Sequence, residues 1–356
     1  MEVNKRNSKY WERRFEDILI ANEKLALGYE KRMAEIYEQV KLDTNRELEA
    51  FYQRYSDETG LDIVETRKRL NPKQLKKFKT QQQIYLAKVK ELIEQGADLG
   101  EYEAVLNKLS GRAYVSRLQE IQNNLNTQIM ILTGQQQVAL SGVLTQAYLQ
   151  GYLQSTFALQ QGLGFGVSFT VPPNDDVAKI LKAPWNGNNY SDSVWTNKQK
   201  LTKWLATDLP RHFAAGSGVE EMSRDLSGKL NTSYNDAVRL VRTEVNYISN
   251  QSAMDAYENG GVVEKYQILA TLDNRTSEIC REMDGKVFNV KDREVAVNMP
   301  PFHVRCRTTT IPYFDDDDYE GLTRIARGAD GKTYSVPATM TYKEWEKKYV
   351  NYNNKE

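Results

Sequence analysis

The chain has 356 residues, 40% of them hydrophobic and 27% charged, which is enough for two or three ordinary domains and excludes a disordered composition. Lysine plus arginine and aspartate plus glutamate each number 48, so the formal net charge is zero and total charge selects no nucleic-acid partner; only local clustering speaks to that. No apolar run approaches the roughly 20 residues that span a bilayer. The polar N-terminus MEVNKRNSKYWERRF lacks a secretory core and two cysteines build no disulfide framework, so no membrane and a cytosolic site of synthesis are the expectations.

From about Tyr10 to Tyr55 apolar and aromatic residues recur at helical spacing without proline, among them Trp11, Phe15, Ile18, Tyr29, Met33, Tyr37 and Val40. One or two long amphipathic helices are predicted. The heptad pattern is imperfect, which favours a packed hairpin over a long coiled coil. Asp57 to Gly60 mark a break, a helix begins near Asp62, and Asn71-Pro72 opens another with proline at its first position. Between Arg67 and Lys90 lie nine Lys/Arg and no Asp/Glu, the strongest charge bias in the chain. Either this is a solvated face whose acidic partners lie on neighbouring helices, or it contacts DNA or another polyanion through Arg67, Lys68, Arg69, Lys73, Lys76, Lys77 and Lys79.

Helical patterning continues from Glu101 to Leu159. Gly162 to Thr170 (GLGFGVSFT) breaks it with glycines and a short β-like alternation, and prolines follow, so residues 162–195 read as a loop-rich connector. Trp195 to Leu209 and Gly218 to Leu226 read as helices. Residues 233–258 read as a third, with Thr232 or Ser233 as N-cap and Gly260-Gly261 as its stop. The period then changes. Val262 to Leu272, Lys286 to Val290 and Arg307 to Tyr313 are strand candidates. A run of four aspartates, Asp315 to Asp318, closes that unit, and Tyr342 to Val350 forms a last short helix. The fold class is therefore mainly α: a long helical N-terminal half (1–161), the connector (162–195), a smaller α+β domain (196–314), and an acidic run with a tail helix (315–356).

Both cysteines, Cys280 and Cys306, fall in one short segment with His303 between them. His303-x-x-Cys306 sets two ligands on one side of a tight turn. With Cys280, and Asp273 or Asp284 as a fourth donor, the set suits tetrahedral zinc. The alternatives are buried free thiols acting as small hydrophobes, or two cysteines that face each other and oxidise. A nucleophilic Cys306 with His303 as base is disfavoured, because three residues of one turn rarely aim both groups at one atom. Asp284-Gly285 is a turn signal. No phosphate loop, G-x-S-x-G or H-E-x-x-H occurs. In Arg239 to Asn250, helical spacing puts Arg242, Asn246 and Asn250 on one face beside Thr243, with Glu244 pointing elsewhere. Such a stripe binds a ligand or, more commonly, hydrogen-bonds the backbone of neighbouring loops.

Taken in order, these motifs resemble the phage head morphogenesis family typified by the F protein of phage Mu, especially minor head proteins of tailed phages of Gram-positive bacteria. The residues that carry the resemblance are RLVRTEVNYISNQSAMDAYENGGVVEKYQILATLDNRTSEICREMDGKVF and NMPPFHVRCRTT, extending upstream through FTVPPNDDVAKILKAPWNG and SDSVWTNKQKLTKWL. The family pattern, an Asp near the first Cys and a Pro-x-His-x-x-Cys-Arg ending, falls on Asp273, Cys280, His303, Cys306 and Arg307. Many relatives have further cysteines where this chain has Met283 and Thr308, two sulfur donors fewer. The resemblance implies a virion-interior protein in a few copies per procapsid. It further implies portal protein as partner, with scaffold or major capsid protein as further partners, non-specific contact with double-stranded DNA, and a role in head morphogenesis and DNA packaging and ejection. It implies no catalysis. The alternative is a metal-dependent enzyme, a hydrolase or nucleotide transferase, using the C-terminal Cys/His/Glu cluster; no toxin segment of the kind fused to some relatives is seen.

Overall fold

A computed structural model describes residues 8–56, 61–185, 187, 189–314, 323–327, 332–337 and 340–349. Among these, the helices are α1 (Ser8–Tyr55), α2 (Ile63–Arg67), α3 (Pro72–Glu94), α4 (Gly100–Ser110), α5 (Arg117–Leu163), α6 (Asn174–Lys182), α7 (Tyr190–Ala215), α8 (Val219–Gly260), α9 (Glu278–Met283) and α10 (Tyr342–Tyr349). The strands are β1 (Lys265–Leu269), β2 (Val287–Asn289), β3 (Thr309–Tyr313), β4 (Thr323–Arg327) and β5 (Thr333–Pro337). The protein is mainly α with an α+β C-terminal part, as the period change predicts.

Helix α1 runs unbroken for 48 residues. Its buried stripe is Trp11, Phe15, Ile18, Asn22, Ala26, Tyr29, Met33, Tyr37, Val40, Thr44, Leu48, Phe51 and Tyr55. Those positions step by 4, 3 and 4 and repeat every 11 residues, from Trp11 to Asn22, Met33, Thr44 and Tyr55. Eleven residues in three turns is about 3.67 per turn, close to the helix's own period, so the stripe stays on one side without left-handed winding. This is why no heptad is found, and why a single helix forms where a hairpin was expected.

Local chemistry sets the other boundaries. Asp62 caps α2 by accepting from the amides of Val64 and Glu65. Asn71 and Gln74 form a reciprocal capping box on α3, with Pro72 at the first position. Helix α7 begins at Tyr190 and continues through Pro210 to Ala215, beyond the expected stop at Leu209. Leu205, Leu209 and Phe213 remain on one buried face, and that burial outweighs the roughly 3 kcal/mol that an interior proline costs. The helices expected at Gly218–Leu226 and 233–258 are one helix, α8. Thr232 does not cap: its hydroxyl donates back to the Gly228 carbonyl, and the buried series Met222, Leu226, Leu230, Ser233, Ala237 and Val241 carries the helical period through. The alternation at Gly162 to Thr170 forms no strand, and the connector contains α6 and the start of α7. Asp315 to Asp318 lie outside the described residues.

Compact units cut across chain order. One comprises residues 29–142 and 190–238, the other residues 1–28, 143–189 and 239–356. In the first unit α3 packs on α4 and α2 on α7. Its buried Glu120 accepts hydrogen bonds from Arg54 and Tyr55, both at 2.7 Å. Ser233 bonds the Tyr37 hydroxyl at 2.8 Å while its carbonyl accepts from Asn197 at 2.9 Å. At the α7–α8 turn His212 lies between Ser217 (3.1 Å) and Asp225 (3.2 Å), one ring nitrogen to each.

In the second unit Trp11, Phe15, Leu159, Leu163, Met254 and Tyr257 from three helices close over a sheet of order β2-β1-β3, antiparallel throughout. Tyr266 of β1 faces Phe288 of β2 and Pro312 of β3. Strands β4 and β5 pair with each other, a hairpin that the sequence pattern does not announce, and a bridge from Leu272 to Ala326 joins it to the end of β1. Leu272, Val336, Met340, Tyr342 and Trp345 fill the space beneath it.

Two glycines of α5 separate propensity from packing. The Trp11 ring lies directly against Gly162, whereas nothing lies within 4 Å of a carbon added at Gly142. Alanine gains about 1 kcal/mol over glycine in a helix, and overpacking a full core costs about 1–3 kcal/mol. Gly142→Ala is therefore expected to raise the denaturant midpoint, and Gly162→Ala to lower it.

Candidate functional site

The C-terminal half of α8 presents a polar strip inside the second unit. Thr243, Asn246 and Asn250 are all at least nine-tenths buried, and each is matched to the chain between Arg305 and Thr310. The Thr243 hydroxyl accepts from the Arg305 amide at 3.0 Å. Asn246 donates to the Thr308 carbonyl at 3.0 Å, and Asn250 accepts from the Thr309 and Thr310 hydroxyls at 3.4 Å each. The backbone-anchoring reading of this strip is what the geometry displays. Arg242, placed on the same face by spacing, is exposed instead; the turn per residue carries it past the buried edge.

This strip fixes the His303-x-x-Cys306 turn. The Cys306 amide donates to the His303 carbonyl at 3.2 Å, and Arg305 between them has φ +60°, a conformation that costs a non-glycine residue of order 1 kcal/mol. The bond to Thr243 holds it there. Both donors then face Cys280 on α9. Cys280 Sγ is 3.2 Å from His303 Nε2 and 3.7 Å from Cys306 Sγ, and the three donor atoms lie within 4.8 Å of one another. His303 Nδ1 donates to the Val304 carbonyl at 2.8 Å, which leaves the Nε2 lone pair turned toward the sulfurs. The hydrogen bond from Cys280, with a second from His303, outweighs burial and holds the Cys306 thiol well below its usual range. The same contact with Cys306, together with burial, pushes Cys280 up, and the hydrogen bond to Cys306 raises His303. Both cysteines are buried and unbridged.

Neither carboxylate considered as a fourth donor points at this cluster. Both oxygens of Asp273 are taken by a bidentate pair with Arg307, each at 2.7 Å. Burial alone raises such a carboxyl, but the hydrogen bonds and charge of Arg307 hold Asp273 at about 2. Asp284 accepts from the Ala270 amide and, through its other oxygen, from the Tyr342 amide, both at 2.9 Å. It ties the turn at Gly285 (φ +79°) to the start of α10. Glu244 lies outside the cluster too. Its carboxylate is buried and receives the Trp185 indole N–H at 3.3 Å to each oxygen, and the Trp185 ring stacks on Tyr247 at 5.2 Å. Tryptophan in a loop about 60 positions upstream carries no spacing signal, so sequence reasoning misses this partner.

The basic run falls on α2, its following loop and α3. Phe78, Gln82, Tyr85, Val89 and Leu92 form the buried side of α3. Lys73, Lys76 and Lys77 are exposed, at a spacing that puts them on one face, and Lys79 is half-buried. Lys68 pairs with Glu65 and Lys90 with Glu103, and Arg69 stacks on Tyr114 at 4.6 Å. Among the described residues Lys73, Lys76, Lys77 and Lys79 enter no ion pair, so the expected neutralising carboxylates are not beside them.

Residues 203–311 match the family model described as phage Mu protein F like protein. The chain carries a phage Mu F-like region. This region takes in the second half of α7, all of α8, the Cys280/His303/Cys306 cluster, and β3 as far as Ile311. The chain is 25% identical over 221 residues to the minor head protein of Bacillus phage SPP1, covering 58% of this chain and 71% of that one. It is 23% identical over 250 residues to an NAD(+)–arginine ADP-ribosyltransferase of Enterococcus faecalis, covering 66% of this chain and 50% of that one. The match thus spans half the length of the transferase. No solved structure matches the chain.

Burial raises Glu244 from the ordinary 4.5 to about 7, against the opposing hydrogen bond from Trp185. Below about 4.5 the group is neutral folded and unfolded; between there and about 7 the unfolded chain ionises first, so stability falls as pH rises and then levels. Glu244→Gln keeps an acceptor for Trp185 and is expected to flatten this decline. The gain at pH 8 should be about 1–3 kcal/mol, read from urea unfolding at pH 4, 6 and 8. Equal gains at all three would show that the carboxylate is not the cause.

Proposed function

We propose that this chain is a minor head protein of a tailed phage, carried inside the virion, with a role in head morphogenesis and in genome packaging and ejection. The observation that carries the reading is the Mu F-like region at residues 203–311, supported by the similarity to the SPP1 minor head protein. Its partners are the portal protein, with scaffold or major capsid protein as further contacts, and double-stranded DNA bound without sequence preference. No described helix is long and apolar enough to cross a membrane, in keeping with a role among capsid proteins. Particles of the phage that encodes the chain, purified as tail-less heads and digested for mass spectrometry, should contain it in few copies together with portal protein. Its absence from such heads would overturn the proposal.

DNA contact is assigned to the unpaired lysines of α3. Three cations on one helix face make a backbone-tracking surface, indifferent to base sequence and strongly dependent on salt. Reversing Lys73, Lys76 and Lys77 to glutamate should weaken duplex binding in gel shifts. The slope of log affinity against log salt should become shallower by about 0.9 for each phosphate that is no longer neutralised. Unchanged affinity in the triple variant would exclude this face.

The enzymatic alternative has one observation in its favour, the name of the Enterococcus relative. In the structure Glu244 is engaged by Trp185 and stands apart from Cys280, His303 and Cys306, so no common Cys/His/Glu centre forms among the described residues. We read the shared segment as common architecture and expect no ADP-ribose transfer from NAD to a guanidine acceptor by this chain. Transfer that disappears in Glu244→Gln would reverse that reading.

A further inference from the structure

We propose that Cys280, His303 and Cys306 bind one zinc ion, with water in the fourth coordination position. Three features of the cluster fit the ion. Two sulfurs about 2.3 Å from zinc at the tetrahedral angle stand about 3.8 Å apart, and the two sulfurs here are 3.7 Å apart. That is ordinary spacing across a metal and far from the roughly 2.05 Å of a disulfide bond. His303 is presented as metal-binding histidines are: Nδ1 is fixed by a backbone carbonyl and Nε2 faces the sulfurs. A sulfur and an imidazole nitrogen sharing zinc lie about 3.6 Å apart. The 3.2 Å contact between Cys280 and His303 therefore opens by a few tenths of an ångström, which the half-buried imidazole can accommodate.

The fourth position follows from what is already committed. Asp273 is locked to Arg307 and Asp284 to two backbone amides, so neither carboxylate is free to turn inward. Ser277, three residues before Cys280, has a buried hydroxyl with no hydrogen-bond partner among the described residues. A zinc-bound water beside Cys280 would supply the partner that this hydroxyl lacks. Zinc in this place joins α9 to the 303–306 turn across the end of the sheet. It would do with two sulfurs and one imidazole what the hydrogen bonds of Thr243 do from the other side.

The test uses the full chain, reduced, stripped of metal and returned to zinc or to cobalt(II). One zinc per chain is expected. Cobalt should give the visible bands of a tetrahedral ion and the near-ultraviolet charge-transfer band of thiolate coordination. His303→Ala, at a half-exposed position, should weaken zinc by more than about tenfold while leaving circular dichroism unchanged. Cys280→Ser and Cys306→Ser should each reduce the charge-transfer intensity in proportion to the sulfur removed, and Ser277→Ala should alter the cobalt visible spectrum without removing the ion. The zinc assignment falls if folded, fully reduced chain takes up no metal, if cobalt binds without a thiolate band, or if His303→Ala leaves affinity unchanged. It falls equally if air converts the pair to a disulfide as fast with zinc present as without it.

Discussion

The C-terminal half of the protein depends on three side chains of one helix face. Thr243, Asn246 and Asn250 sit where an apolar stripe would otherwise run, and their polar atoms are buried. A buried donor or acceptor left unpaired costs about 1–3 kcal/mol, so these three residues are tolerable only against a partner of matching polarity. That partner is the stretch Arg305 to Thr310, which leaves a left-handed turn and enters β3. Because the side chains are spaced along a rigid helix, the segment cannot slip by one residue without orphaning several groups at once. The positions of His303 and Cys306 are thereby inherited from α8.

The Asp273–Arg307 pair supplies the second constraint. A bidentate guanidinium–carboxylate pair fixes orientation as well as distance. Here it joins the turn after β1, seven residues before Cys280, to the residue that follows Cys306. The two halves of the sulfur cluster are thus clamped at their outer ends by charge and at the turn by the α8 strip. Withdrawing the carboxylate would leave a half-buried guanidinium uncompensated, at a cost of about 3–5 kcal/mol. This decides the role of Asp273: the motif places it near the cysteines because it orients the chain that bears them. Asp284 likewise spends both oxygens on backbone amides.

Much of this was legible in the residues. Periodicity located α1, α3, α10 and the three strands of the main sheet, since each has a strong one-sided pattern or an explicit start signal such as Asn71-Pro72. The Cys280, His303 and Cys306 grouping was also visible, because two of the three are neighbours in sequence. What sequence did not convey was continuity and long-range pairing. Thr232 looks like a cap when only local chemistry is weighed, yet buried Leu230, Ser233 and Ala237 on either side decide for an unbroken helix. The compact units draw on segments far apart in the chain, and no local spacing records that Trp185 will meet Glu244. The imprecise heptad in α1 was a signal in itself: an 11-residue repeat read on a 7-residue ruler.

Charge in this chain is informative only where it is segregated. The 48 cations and 48 anions cancel in total, and most described ion pairs lie within a turn of helix or across a local surface, where each contributes little to folding. Lys73, Lys76, Lys77 and Lys79 of α3 depart from that pattern. They lie off the Phe78–Tyr85–Val89 side, and no described carboxylate is paired with them, in contrast to Lys90 with Glu103. Folding therefore gains nothing from concentrating them there and loses a little to mutual repulsion, which over a spacing of about 6 Å in water is under 1 kcal/mol per pair. Packing among the described residues therefore gives no account of this segregation of charge. The Mu F-like region lies wholly C-terminal to α3, so the basic face and the region that bears the cysteine cluster sit in separate parts of the chain, and neither follows from the other.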